Sequence, residues 1–163
     1  MNQNKIIKIL LITYLFILTW IIVFKLSFNP QELSTIRSIN LIPFHYDNEV
    51  SFHLTEVIEN ILIFIPLGIL LKMSNHSIKN SILYGLILSI IYESLQYIFA
   101  IGATDITDII TNTIGAFIGA LSYYILLKVF KNQSKINNIL IIIGLIFFIA
   151  FFILFILLTL ANI

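Results

Sequence analysis

The sequence predicts an all-α membrane protein, a polytopic bundle of five transmembrane helices. Of its 163 residues, 60% are hydrophobic and only 10% are charged, whereas soluble domains are about 25% charged. The apolar residues fall in runs of about 20, long enough to cross about 30 Å of hydrocarbon. We therefore expect residues 1–163 to form a single membrane domain. Because the chain has no cysteine, disulfides, thiolate metal sites and a cysteine nucleophile are excluded.

The first helix is predicted at 6–28, in an apolar run that is flanked by lysines and stopped by Asn29-Pro30. This run is longer than the apolar core of a signal peptide, and no small-residue cleavage site follows it. The longest connection, 29–55, comes next. Its segment 40–44 is unusually apolar for a loop, so we expect that segment to lie in the membrane interface or to fold back onto the helices.

Four further helices are predicted at 54–73, 81–99, 106–127 and 138–160. The first of these contains Pro66, which predicts a kink near Ile63. A turn at 100–104 joins the next two helices. The last helix has neither a charge nor an amide in its apolar part, so it is predicted to be an additional C-terminal anchor that faces lipid.

The distribution of charge predicts the orientation of the chain. Membrane proteins keep Lys and Arg mainly in cytoplasmic connections. With the N-terminus inside and the C-terminus outside, seven of the nine basic residues are cytoplasmic, namely Lys5, Lys8, Lys72, Lys79, Lys128, Lys131 and Lys135. All the acids then lie in outer loops or in the outer halves of helices. We expect a multi-pass protein of the bacterial cytoplasmic membrane.

Several polar side chains within these apolar helices are predicted to meet in one layer below the outer face. At about 1.5 Å per residue, Glu93 lies roughly 18 Å from the inner surface, and Asn60 and Asn112 lie about 8–9 Å from the outer surface. Ionisable groups inside a membrane are costly and usually mark a site. We call the following residues the polar layer and expect them to form a ligand pocket: Glu59, Asn60, Glu93, Gln96, Asp105, Asp108 and Asn112.

Two of the helices carry a stripe of small and polar residues at helical spacing. The third helix has Gly85, Ser89, Glu93, Gln96 and Ala100, and the fourth has Asp105, Asp108, Asn112, Gly115 and Gly119. Because a tight turn joins these two helices, we expect the stripes to face each other. Small residues would let the helices approach closely, and the polar residues would bond across the contact.

The members of the polar layer also have structural interpretations. Either Thr104 or Asp105 can cap the fourth helix, where the helix dipole favours Asp108 as well. Glu93 and Gln96 can form a hydrogen-bonded lock between helices, and Asn112 can serve packing alone. The histidines of the long connection, His45 and His53, match no metal-ligand spacing and are interpreted as ordinary loop residues.

A cluster of carboxylates has three physical uses. It can hold Mg²⁺ or Ca²⁺ through oxygen ligands, supply a general acid or base, or bind a cationic or hydroxyl-rich ligand directly. The sequence contains neither a GxSxG nucleophile motif nor a Gly-rich phosphate loop, and nothing in it supports nucleic-acid binding. The partners expected at this depth are the headgroups of membrane lipids, lipid-linked precursors or amphiphilic drugs.

Two blocks of the sequence carry a family resemblance. The first joins the segment NLIPF at 40–44 to NILIFIPLG at 60–68. The second is Glu93-x-x-Gln96, followed by DITD at 105–108 and NTIG at 112–115. In this order the blocks resemble the VanZ-like family of bacterial membrane proteins, named for a teicoplanin-resistance accessory protein. Members often carry an Arg where this chain has Gly102, which puts a phosphate-binding role in doubt.

The resemblance implies lowered susceptibility to teicoplanin-type lipoglycopeptides, with no agreed reaction. The leading hypothesis is that the polar layer binds an envelope-facing amphiphile or a lipid-linked precursor. One alternative is an enzyme that acts on a lipid headgroup through paired carboxylates, with or without a divalent cation. Another is a structural or partner-binding membrane protein in which the acids only lock the helices together.

Overall fold

The structure is a computed structural model that describes residues 2–24, 37–44 and 50–161. Within these ranges the chain forms five helices: α1 (Gln3–Ile22), α2 (Val50–Met73), α3 (Ile78–Phe99), α4 (Ile106–Phe130) and α5 (Gln133–Ala161). All five are long and apolar enough to cross a membrane. This confirms the predicted helical membrane bundle. The predicted last turn of the first helix, from residue 25 to residue 28, lies outside the described residues.

A short parallel sheet, which the sequence did not predict, lies at one end of the bundle. Strand β1 (Arg37–Asn40) pairs with β2 (Gly102–Asp105), with Asn40 opposite Asp105. The turn predicted at 100–104 is therefore wrong from residue 102 onwards. Each strand has only four residues, and its partner is distant in the sequence, so no local alternation of polar and apolar residues could reveal the pair.

Helices α2 and α4 approach each other closely enough for backbone to touch backbone. On α4, Gly115 and Gly119 lie directly against the carbonyl groups of Ile61 and Ile65, and a Cβ atom on either glycine would overlap those groups. Two helices in lipid gain little from the hydrophobic effect, so close van der Waals packing contributes much of their association. The two glycines therefore fix the separation of α2 and α4.

Helix α3 packs against a different face of α4. Gly85 of α3 lies against Ala116, and the Asn112 side chain donates a hydrogen bond to the Ser89 hydroxyl at 2.9 Å. The two predicted stripes therefore meet only in part, because the glycines of α4 turn to α2 instead. A stripe at positions three and four apart is broad enough to contact two neighbouring helices.

Helix α1 packs against α2 beside the proline of that helix. Pro66 has no N–H group and cannot donate to a carbonyl of the preceding turn. In that turn the Tyr14 hydroxyl of α1 donates a hydrogen bond to the carbonyl of Ile63. A neighbouring helix often provides such a bond to a membrane helix that contains proline. Thr19 of α1 makes a second contact, a 3.0 Å hydrogen bond with the Tyr92 hydroxyl of α3.

Helix α5 is the least buried of the five. Only 6% of its apolar segment is buried inside the protein. It is held by a few contacts, including a 2.6 Å hydrogen bond from the Tyr123 hydroxyl to Asn137 and an edge-on contact between Trp20 and Phe155. This arrangement agrees with the expectation of a peripheral C-terminal helix.

The two ends of the bundle carry opposite charges. Gln3 donates to Asn138 at 2.6 Å, and Asn4 and Asn75 line one cavity, so the start of α1, the α2–α3 turn and the α4–α5 turn lie together. We call this the lysine end, with Lys5, Lys8, Lys72, Lys79, Lys128, Lys131 and Lys135. The opposite end, with the sheet, carries every acid among the described residues and is the acid end: Glu56, Glu59, Glu93, Asp105 and Asp108.

The orientation in the membrane can be tested with single cysteines, since the natural chain has none. Leu41 is exposed at the acid end and Asn75 is exposed at the lysine end. We expect a membrane-impermeant maleimide to label Leu41→Cys in intact cells. Asn75→Cys should be labelled only after permeabilisation. The reverse pattern would show that the lysine end faces outward.

The α2–α4 contact can be tested with two alanine substitutions of glycine. Gly119→Ala places a methyl group against the Ile65 carbonyl and should lower the free energy of unfolding by about 2 kcal/mol. Gly144→Ala is the matched control, because a Cβ there would meet only Leu10 at 3.7 Å, an ordinary contact. Thermal unfolding in detergent measures both. Equal stability of the two variants would contradict the close contact.

Candidate functional site

The polar layer lies at the acid end, where the sheet meets α2, α3 and α4. Glu93 and Gln96 come from the last part of α3, Asp105 begins α4, and Asn60 lies in the part of α2 nearest the sheet. The structure places six of the seven predicted residues in hydrogen bonds that join these elements to one another or, for Gln96, to the end of α1.

Glu93 lies buried beneath the start of α4, with only 3% of its surface exposed. Its Oε2 accepts a 2.9 Å hydrogen bond from the backbone N–H of Asp105, and its carbonyl accepts one from the Thr104 hydroxyl at 3.1 Å. The N-terminus of a helix offers free N–H groups and a partial positive charge, both of which stabilise a nearby carboxylate. Glu93 therefore ties the end of α3 to the start of α4.

Asp105 is the N-cap of α4, as the structural interpretation predicted. Its Oδ1 accepts from the N–H of Thr107 at 2.7 Å. Its Oδ2 accepts from the side-chain amide of Asn40 at 3.0 Å. One carboxylate thus caps a helix and holds the end of β1.

The apolar segment 40–44 folds back onto this corner, which was one of its two expected placements. The Asn40 side chain accepts a hydrogen bond from the N–H of Ile42 at 3.1 Å, and the N–H of Phe44 donates to the Thr107 hydroxyl at 3.0 Å. The side chains of Leu41, Ile42 and Phe44 remain exposed. This segment therefore presents an apolar surface beside the carboxylates.

Asp108 connects α4 to α2. Its Oδ1 accepts a 2.8 Å hydrogen bond from the side-chain amide of Asn60. Glu59, the neighbour of Asn60, points elsewhere and is exposed. The structure therefore brings Asn60 into the polar layer and leaves Glu59 outside its hydrogen bonds.

Two buried amides complete the layer and keep part of their hydrogen-bonding capacity. Asn112, 1% exposed, donates to Ser89, and Gln96, 6% exposed, donates to the carbonyl of Ile22 at 3.0 Å. In the part of the chain that the structure describes, the side-chain oxygens of Asn112 and Gln96 are buried and accept no hydrogen bond. An unsatisfied buried acceptor costs about 1–3 kcal/mol, so these oxygens are the atoms of the layer best suited to a donor from outside.

The described residues do not supply the ligand set of a metal ion. Nowhere among them do three or more histidine, aspartate or glutamate side chains come together as such a set. Glu93, Asp105 and Asp108 accept hydrogen bonds from N–H groups instead. The predicted use of the acids in holding Mg²⁺ or Ca²⁺ therefore finds no support in this arrangement.

Four side chains in these bonds were not among the predicted site residues: Asn40, Ser89, Thr104 and Thr107. Ser89 had been assigned only to a packing stripe, and Thr104 only to capping of α4. Asn40 opens the first motif block, NLIPF, and Thr107 lies in the segment DITD of the second block. The two motif blocks were therefore the signal that could have included both residues.

The family model described as VanZ/LLP1 matches residues 11–128, well over half of the chain. The chain belongs to the VanZ/LLP1 family. This confirms the resemblance found in the motif blocks, and the matched range contains the whole polar layer. Helix α5 begins beyond it.

One relative within the VanZ/LLP1 family is closely similar. The chain is 41% identical over 141 residues to Protein VanZ of Enterococcus faecium, and the alignment covers 84% of each chain. No solved structure matches. The likeness therefore extends over nearly the full length of both proteins.

Two substitutions can separate the charge of Glu93 from its role as an acceptor. Glu93→Gln keeps an oxygen for the N–H of Asp105, whereas Glu93→Leu leaves that N–H without its acceptor. We expect the leucine variant to lose about 2 kcal/mol of stability and the glutamine variant clearly less. Thermal unfolding in detergent measures the difference. Equal losses would show that the hydrogen bond to Asp105 contributes nothing.

Proposed function

We propose that this membrane protein lowers the susceptibility of the cell to teicoplanin-type lipoglycopeptides. In this proposal the acid end faces outward from the cytoplasmic membrane. The polar layer binds the polar part of an envelope amphiphile, either a lipid-linked cell-wall precursor or the lipoglycopeptide itself. The observation that carries the proposal is the pair of buried, unfilled acceptors on Asn112 and Gln96 within a layer of carboxylates.

Membership of the VanZ/LLP1 family supports the antibiotic-resistance theme. The 41% identity to Protein VanZ runs over 84% of this chain. A close relative over the full length favours a shared role more strongly than a shared fold alone would.

The chemistry of the layer supports a ligand that is rich in donors. Asn112 and Gln96 each use their N–H group on a neighbour and keep an oxygen. The surrounding side chains Glu93, Asp105 and Asp108 also present oxygens. Hydroxyl, amide and ammonium groups can donate to such oxygens, and precursor sugars and glycopeptides carry these groups in abundance. The exposed apolar side chains of segment 40–44 lie beside the layer, where the lipid part of an amphiphile would pass.

A structural role is the second candidate, and a specific observation favours it. Asp105 caps α4 and Glu93 binds the backbone of the same corner. In this case the acids would lock the helices without touching a ligand. The enzyme hypothesis, with paired carboxylates acting on a lipid headgroup, stays a prediction.

The proposal can be tested with Glu93→Gln and Asp108→Asn in cells that depend on this protein for resistance. Loss of a charge-assisted hydrogen bond of about 1.5 kcal/mol should weaken ligand binding roughly tenfold. The minimal inhibitory concentration of teicoplanin should fall towards that of cells without the protein. Glu56→Gln, an exposed acid at the same end, is the matched control and should keep resistance.

Protein abundance separates the two candidates. Under our proposal the Glu93→Gln and Asp108→Asn variants accumulate to normal levels and lose resistance. Under the structural role they lose abundance and melting temperature together with resistance. Full resistance at normal abundance in both variants would overturn the proposed binding role of the layer.

A further inference from the structure

A second feature of the molecule lies at the lysine end, far from the polar layer and independent of its proposed function. One face of α1 lines two cavities there. The residues of this face lie 3, 4, 7 and 11 positions after the first of them, which is the pattern of a single helical stripe: Asn4, Ile7, Lys8, Leu11 and Leu15. The stripe is polar and charged at its start and apolar further on.

The first cavity is lined by both polar and apolar side chains. It has a volume of about 220 Å³ and lies between α1 and the end of α2, lined by Asn4, Ile7, Lys8, Met73, Ser74 and Asn75. The hydroxyl oxygen of Ser74 is buried and has no hydrogen-bond partner among the described residues. A lysine ammonium, side-chain amides and a hydroxyl without a partner are groups that suit a phosphate.

The second cavity lies further along the same face of α1 and is mainly apolar. Its volume is about 310 Å³, and it is a groove between α1 and α3 with Leu67 and Leu71 of α2 among its lining residues. His76 and Tyr84 line the groove where it nears the lysine end, with their rings in edge-on contact at 5.1 Å. The Lys72 ammonium donates to the carbonyl of His76 at 3.1 Å. The Lys72 ammonium is therefore a second positive charge, close to the end of the groove that His76 lines.

The two cavities are lined by residues that are neighbours along the chain. Asn75 of the first precedes His76 of the second, and Lys8 is one helical turn from Leu11. From Asn4 to Leu15 the stripe spans eleven residues, about 16 Å at 1.5 Å per residue. Half of a hydrocarbon core of about 30 Å has the same length. The combined site is therefore one leaflet deep, with a polar end at the membrane surface.

The positive charge of the lysine end indicates the headgroup charge of a lipid that would fit this site. All the described lysines lie there, and every described acid lies at the acid end. Basic pockets between membrane helices bind anionic headgroups. We propose that this site holds one anionic phospholipid from the leaflet at the lysine end. Its phosphate contacts Lys8 and Ser74, and one of its acyl chains lies in the leucine-lined groove.

Native mass spectrometry of the purified full chain tests this proposal, with phosphatidylglycerol as the anionic probe and phosphatidylcholine as the zwitterionic one. We expect one phosphatidylglycerol molecule to bind more tightly than phosphatidylcholine does. Lys8→Gln should weaken that binding about fivefold, the equivalent of roughly 1 kcal/mol per lysine. Lys128→Gln removes the same charge from an exposed position of α4 outside both cavities and should change the affinity less than about twofold by the same reasoning.

A second variant tests the acyl-chain groove. Ile87 lines the groove and is 44% exposed, so Ile87→Trp can fill the groove from its rim with little effect on folding. It should weaken phosphatidylglycerol binding, while glycerol 3-phosphate, which has the same phosphate without acyl chains, should compete poorly with the lipid.

Four results would overturn the proposal. They are equal affinity for the two lipids, equal losses in Lys8→Gln and Lys128→Gln, unchanged binding in Ile87→Trp, and effective competition by glycerol 3-phosphate. The last result would indicate a site for free phosphate instead of a lipid. The melting temperature of each variant, measured alongside, shows that the comparison is made between folded proteins.

Discussion

The backbone contact between α2 and α4 determines where the polar side chains of this protein can meet. Gly115 and Gly119 bring the two helices together, and Asp108 lies two turns from Gly115 towards the acid end. At this separation the short side chain of Asn60 reaches Asp108 at 2.8 Å. Larger residues in place of the glycines would overlap the backbone of α2 and push the helices apart. The polar layer is thus possible because the interface beneath it is made of small residues.

The carboxylates of the layer hold helices and strand together, and our proposal gives them a second role in ligand binding. Glu93 and Asp105 accept bonds from the backbone and from Asn40, and these bonds hold α3, α4 and β1 together. Our proposal assigns the same corner of the protein to ligand binding. In a medium of low dielectric constant, buried polar groups stabilise the fold when they are hydrogen-bonded and destabilise it when they are not. Changes at these positions therefore affect folding and binding together, which is why charge and hydrogen-bonding capacity have to be altered separately.

Much of the fold could be predicted from the sequence, because membrane spans have a strong signal of length and composition. The five helices, the cap at Asp105 and the peripheral position of α5 follow from local rules of hydropathy and helix termini. The pairing of β1 with β2 could not be predicted. It links four-residue segments on either side of α2 and α3, and local periodicity carries no information about such distant partners.

The candidate site was predictable in outline and not in detail. Depth along the helices placed Asn60, Glu93 and Asn112 at one level. The direction of each side chain depended on which helix lies on which face of α4, and a stripe on one helix does not specify its neighbour. For this reason Glu59 was grouped with the layer although α2 turns it outward, and the glycines of α4 were assigned to α3 although they contact α2.

The parallel sheet has a consequence for the order in which the protein assembles. Chains emerge from the ribosome with the N-terminal part first. Asn40 and Asn60 are therefore made long before Asp105 and Asp108, the acceptors that they bind in the finished protein. An amide within an apolar helix without its partner is unfavourable in lipid. The first two helices are consequently inserted before their polar side chains have partners, and β1 can pair only after β2 has been synthesised.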